Sequence, residues 1–94
     1  MEKIYKFERI ELCKFIPEIL EYKVLYISEE FGCIIHLCPC GCGNQIVISI
    51  KPKWYHGWEY NRENNLVTLS PSLLNTSCPN HSHYFIKENN ILWC

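Results

Sequence analysis

The sequence predicts a small, mainly antiparallel all-β domain with one short helix near its start. Two observations carry this reading: short runs rich in β-branched and aromatic residues recur between turn residues, and asparagine clusters at 61–65 and 89–90 supply hairpin turns, since asparagine tolerates positive φ. The helix is placed at 15–20, where Pro17 can open a first turn and Ile16, Ile19 and Leu20 fall at helical spacing. Strands follow at 24–28, at 33–37 after a turn at Phe31-Gly32, and at 45–50 beyond the glycines at 41 and 43. Further strands are placed at 54–60, at 66–69 after the first asparagine cluster, and at 84–87 and 91–93 on either side of the second. Between Pro71 and Pro79 the stretch 70–82 reads as an irregular crossing; a long loop rich in Ser, Asn, His and Cys inside a compact domain is a candidate functional segment.

The 94 residues make one domain, 1–94, of a size that often needs a metal or cross-link for adequate stability. A formal charge of −1, with both signs mixed along the chain, argues against a nucleic-acid partner. No apolar run approaches the roughly 18 residues that span a bilayer. Charges at Glu2, Lys3 and Lys6 stand where a secretory signal would have its apolar core, so a cytoplasmic, reducing setting is expected. There the seven cysteines read as metal ligands more than as a disulfide framework, with Cys13 and Cys94 as small buried or terminal thiols.

The densest chemistry lies in His36-Leu37-Cys38-Pro39-Cys40-Gly41-Cys42-Gly43, joined later by Cys78, His81 and His83. Thiolates and imidazoles at this density suit zinc, a borderline-soft ion without geometric preference. Fully extended, residues 36–42 would reach ~20 Å, far more than ligand atoms lying about 2.0 to 2.3 Å from one ion allow. The chain must therefore bend, with Pro39, Gly41 and Gly43 as the bending residues. His36 and Cys38 then end a strand, Cys40 and Cys42 lie on a glycine-rich knuckle, and Cys78 or His83 completes the site from the distal segment.

Seven candidate ligands exceed what a four-coordinate ion uses, and this leaves groups for other work. A spare imidazole beside the ion is a natural base, and Ser82, between His81 and His83, is the first candidate nucleophile; Ser70 and Ser72 come next. Glu29 and Glu30, across the turn from His36, are candidate bases for a zinc-bound water or solvated turn acids. Trp54, Tyr55, Trp58 and Trp93 supply either core or a binding surface.

The order His36-x-Cys38-x-Cys40-Gly41-Cys42-Gly43, then Trp54, then Thr68-Leu69-Ser70-Pro71-Ser72, then Ser82-His83-Tyr84-Phe85-Ile86 and Ile91-x-Trp93 resembles bacterial domain-of-unknown-function family 6527. The residues Phe15-Ile16-Pro17-Glu18 and Leu25-Tyr26-Ile27-Ser28 fit it as well, so the resemblance covers nearly the whole chain. It implies a peptidase that processes or removes a ubiquitin-like protein, with that protein or its E1-like and E2-like machinery as partners, in operons linked to phage defence. One departure is Asn80, where the family pattern has a cysteine, which leaves Cys78 or His81 to act as the distal ligand.

The expectation is thus a zinc-containing peptidase, with Cys38, Cys40, Cys42, Cys78 and His83 as ligands and His36, Ser82 and Glu29 as catalytic residues. In one mechanism zinc activates water with a glutamate as base. In the other the cysteines hold a structural zinc while His36 or His83 activates a serine of the distal segment. A non-catalytic zinc-binding adaptor of the same pathway, or a redox thiol switch, is the rival.

Overall fold

The structure, a computed structural model, describes residues 2–94. Among them eight strands form two four-stranded sheets. The first has the order β1 (Arg9–Leu12), β2 (Val24–Ser28), β3 (Cys33–Leu37), β4 (Gln45–Ser49); the second has β5 (Glu59–Glu63), β6 (Leu66–Asn75), β7 (Ser82–Lys87), β8 (Asn90–Trp93). β1 and β2 run parallel, and every other neighbouring pair is antiparallel.

Alternation explains how the sheets share one core. Ile34 and His36 on β3, Ile46 and Ile48 on β4, and Ser82, Tyr84 and Ile86 on β7 are the inward members of period-2 patterns. Leu25, Ile27, Ile34 and Ile48 from the first sheet, with Ile50 just past β4, meet Val67, Leu69, Leu73, Tyr84, Ile86 and Ile91 from the second, with Ile4 and Phe7 filling in from the N-terminal segment. β2 is buried on both faces because residues 13–23 lie across its outer side. There the Ser28 hydroxyl donates to the Lys14 carbonyl at 2.8 Å, and Tyr26 Oη accepts from the Glu21 N–H at 2.9 Å.

The helix expected over 15–20 is absent; the segment is irregular, with bends at Phe15 and at Glu18-Ile19. Phe15 and Ile19 are 70% and 84% exposed, so no apolar face is buried against it, and a helix this short is not stable without such packing. β1 replaces it as the element preceding β2.

The run 54–60 is also not one strand. Trp54 turns back, its N–H donating to the Ile50 carbonyl at 3.2 Å, and only from Trp58, bridged to Ile50, does the chain become extended. Gly57 is required there: a Cβ would sit 2.7 Å from the Ser49 carbonyl oxygen.

The hairpins turn on Asn64-Asn65 and Glu88-Asn89, all four at positive φ, whereas Asn61 and Asn90 lie within strands. The Asn89 carboxamide stitches the two tips together. Its Oδ1 accepts from the Val67 N–H at 2.7 Å and its Nδ2 donates to the Asn65 carbonyl at 2.9 Å.

The largest departure from expectation is β6. It does not stop at Leu69 but continues to Asn75 through a bulge: Leu69 pairs with Ile86 and Leu73 with Tyr84, so four steps on β6 match two on β7. Ser70, Pro71 and Ser72 form the bulge. The extra residues bend the strand and re-aim the side chains it carries, a device common beside active sites.

Candidate active site

Two constellations lie at the start of β7. The first is built by the knuckle after β3. The Cys38 N–H donates to the Asn44 carbonyl at 2.8 Å and the Gly41 N–H to the Cys38 carbonyl at 3.0 Å, folding the cysteine run back on itself. Gly41 and Gly43 take φ of +89° and +87°, the left-handed region open chiefly to glycine. At Gly43 a Cβ would meet nothing, so the demand there is purely on φ.

The fold places Cys78, on the β6–β7 connection, against this knuckle. The ligand atoms of Cys38, Cys40, Cys42 and Cys78 all lie within 4.8 Å of one another, and the group could hold a metal ion. The Cys38–Cys40 and Cys40–Cys78 sulfur separations are 3.5 and 3.8 Å. A tetrahedron of sulfurs each about 2.3 Å from its centre has edges of about 3.8 Å, so the donor set fits such an ion in kind and in size.

The residues around the sulfurs act as their second layer of hydrogen bonds. Ser82 Oγ lies 3.5 Å from Cys38 Sγ and 3.3 Å from Cys78 Sγ, and the Ser82 N–H donates to Cys78 Sγ at 3.4 Å. Buried and engaged in this way, Ser82 faces the thiols, not solvent.

Of the other residues singled out from sequence, none joins the four sulfurs. His36 is wholly buried, edge-on to Phe7 at 5.2 Å, with Nε2 2.8 Å from Tyr84 Oη and Nδ1 without a partner. Burial pulls its pKa down to about 3, so the ring is neutral near pH 7. Glu29 accepts from Tyr60 Oη at 2.7 Å and pairs with Arg62 at 3.4 Å; these bonds, led by that from Tyr60, hold its pKa below the ordinary carboxylate value.

The second constellation is on the outer face of the second sheet. Leu73 and Tyr84 point into the core, so their neighbours Ser72 and His83 point outward, diagonal to one another across the β6–β7 pair. Ser72 Oγ and His83 Nε2 are 2.8 Å apart, with Ser72 half-buried and His83 exposed. That is the separation and the atom pairing in which an imidazole can take a hydroxyl proton. Trp58 braces the serine, its Nε1–H donating to the Pro71 carbonyl at 3.1 Å. A cleft of about 340 Å³, lined by Lys3, Asn80, His81, Trp93 and others, reaches His83.

The two constellations are consecutive in the chain. Ser82 is fixed to the sulfurs and His83 is the next residue, so the thiol cluster anchors the end of β7 from which the imidazole projects. From sequence Ser72 and His83 are each candidates, but Ser82 stands ahead of Ser72, because Ser70-Pro71-Ser72 has the composition of a turn. The signal available was parity: on a strand with Tyr84 and Ile86 inward, Ser82 must also face in and His83 out.

A family model described as "Bacterial ubiquitination-like system serine protease (BubE)" matches residues 12–94, all but the first eleven positions. No curated protein and no solved structure matches the chain.

Proposed function

The chain belongs to the BubE family, a protease family of bacterial ubiquitination-like systems, and from that premise we propose that it is a serine peptidase whose nucleophile is Ser72 and whose base is His83. The observation that carries this reading is the 2.8 Å contact between Ser72 Oγ and His83 Nε2 on an accessible face. His83 Nε2 takes the hydroxyl proton as Oγ attacks the scissile carbonyl; the same proton then passes to the leaving amine, and an acyl-Ser72 ester remains. Water, deprotonated by His83, hydrolyses that ester and restores both side chains.

The four cysteines are proposed as the ligands of a structural zinc, which supplies cross-linking and no chemistry. Cys38, Cys40, Cys42 and Cys78 would supply all four ligands that a structural zinc takes, and the carboxylate of Glu29 is committed to Tyr60 and Arg62. This favours the serine mechanism over zinc-activated water. Reduced thiols around an ion also suit the cytoplasm, where we place the reaction. The substrate is proposed to be a ubiquitin-like protein, matured from a C-terminally extended precursor or released from its conjugates, in an operon of the kind linked to phage defence.

Mass spectrometry of a ubiquitin-like precursor from the chain's own operon tests the proposal. Incubation with the wild-type protein should release the C-terminal extension and leave a single new C-terminus. A folded, zinc-loaded protein that binds the precursor or a conjugate yet cleaves neither would replace the enzyme with an adaptor.

A further inference from the structure

Three of the four sheet edges are covered or carry charged residues. β1 carries Arg9 and Glu11, and β5 carries Glu59, Arg62 and Glu63, charges that deter an incoming strand. β8 is covered by the N-terminal segment: the Ile91 N–H donates to the Tyr5 carbonyl at 2.9 Å, and Lys6 bridges Asn90. The fourth edge, β4, has no charged residue, and among the described residues no strand pairs with its outer side.

The phase of the β3–β4 ladder fixes which groups that edge offers. The Ile50 N–H donates to Gly32 and the Asn44 carbonyl accepts from Cys38, so the even-numbered residues of β4 turn their backbone to β3. Gln45, Val47 and Ser49 therefore turn theirs outward. The Ser49 carbonyl is taken by the Trp58 N–H at 2.8 Å, where the second sheet begins, and Val47 before it faces open space. Val47, Trp54 and Tyr55, which are 61%, 49% and 84% exposed, wall a hollow of about 540 Å³ along this edge. Trp58 closes the hollow, and its indole is the group bound to the Pro71 carbonyl, one residue before Ser72.

We propose that the free edge of β4 and the Trp54–Trp58 turn form the substrate groove, in which an extended peptide tail adds to β4 as a strand and delivers its scissile carbonyl to Ser72. This rests on the Ser72–His83 reading. An extended peptide is the occupant because a strand pairs with the N–H and C=O of Val47 together, as in strand addition to a sheet edge. Its alternate side chains meet Val47 and Trp54 and are apolar. Continuity from the hollow through Trp58 to the nucleophile ties this edge to the reaction.

Peptide aldehydes of two, four and six residues ending in glycine, a residue that asks for no side-chain pocket, are the probes. The Ser72 Oγ adds to the aldehyde carbon, the C=O π bond breaks and the hydroxyl proton ends on the former carbonyl oxygen. With the wild-type protein, inhibition should tighten by at least about tenfold from two to six residues, and N-methylation of the hexapeptide should undo that gain at alternate nitrogens only. Val47→Pro removes the outward N–H together with the valine side chain and should cancel the length gain. Trp54→Ala should reduce the gain without any change to the strand backbone. Inhibition independent of length, or N-methyl losses without alternation, would overturn the groove. So would a β4-edged dimer that Val47→Pro makes monomeric with the length gain intact. Failure of even the dipeptide aldehyde to modify Ser72 would instead remove the dyad on which the groove depends.

Discussion

Ser72→Ala is expected to lower kcat for precursor cleavage by at least about 10³-fold, some 4 kcal/mol of transition-state stabilisation, while leaving zinc and fold in place. The loss is large because no neighbouring hydroxyl replaces the one next to His83 Nε2: Ser82 is buried among the thiols. The cost in stability is small, about 1 kcal/mol or less, since Ser72 lies on the outer face and its bond to His83 is accessible to water. His83→Ala should give a loss of the same size, and the double variant should be little worse than either, because nucleophile and base act as a unit. Ser82→Ala separates this dyad from the alternative in which Ser82 attacks: it should retain zinc and cleave within about tenfold of wild type, having lost only a hydrogen bond to the sulfurs. Mass-spectrometric time courses with each variant, alongside metal analysis, supply the comparison. A Ser82→Ala protein as inactive as Ser72→Ala, with zinc and fold intact, would move the nucleophile.

Cys78→Ser is expected to release the metal and unfold the domain. Structural zinc contributes on the order of 10 kcal/mol of apparent binding free energy in small zinc modules, comparable with the whole stability of an ordinary domain. Cys78 is the ligand that the β6–β7 connection contributes to the knuckle after β3, so its loss loosens the start of β7 as well as releasing the ion. Zinc content should fall from close to one per chain to near zero, with loss of the β-sheet circular dichroism signal and of cleavage together. Replacement of zinc by cadmium, another ion suited to four thiolates, distinguishes a staple from a catalyst. The staple predicts kcat within about twofold of the zinc protein. A severalfold change in kcat with the fold intact would mean that the ion takes part in the chemistry.

What was legible in the chain follows from where its side chains face. β2, β3 and β4 are readable because Val24–Ser28, Cys33–Leu37 and Gln45–Ser49 carry β-branched residues in buried or alternating patterns that only a strand satisfies. β1 is a four-residue edge strand with Arg9 and Glu11 in it, and the same charges that protect the edge hide it from any hydrophobic pattern. Ile16, Ile19 and Leu20 have helical spacing without a partner surface, and spacing alone does not hold a single turn together. The thiol cluster was legible because soft ligands at this density have few other uses, and the four sulfurs do converge. The dyad was not. Its serine sits on a bulge whose Ser-Pro-Ser sequence looks like the end of a strand, and its distance from His83 is set by the β6–β7 register, which no local pattern encodes.

Labelling with a fluorophosphonate, followed by peptide mapping, tests the central claim most directly. Phosphonylation reports a serine whose hydroxyl is activated by a base, independently of which ubiquitin-like protein is the substrate. The account predicts a single adduct on Ser72, absent from His83→Ala and retained in the cadmium-substituted protein. An adduct on Ser82, or none on a folded, zinc-loaded chain, would contradict it.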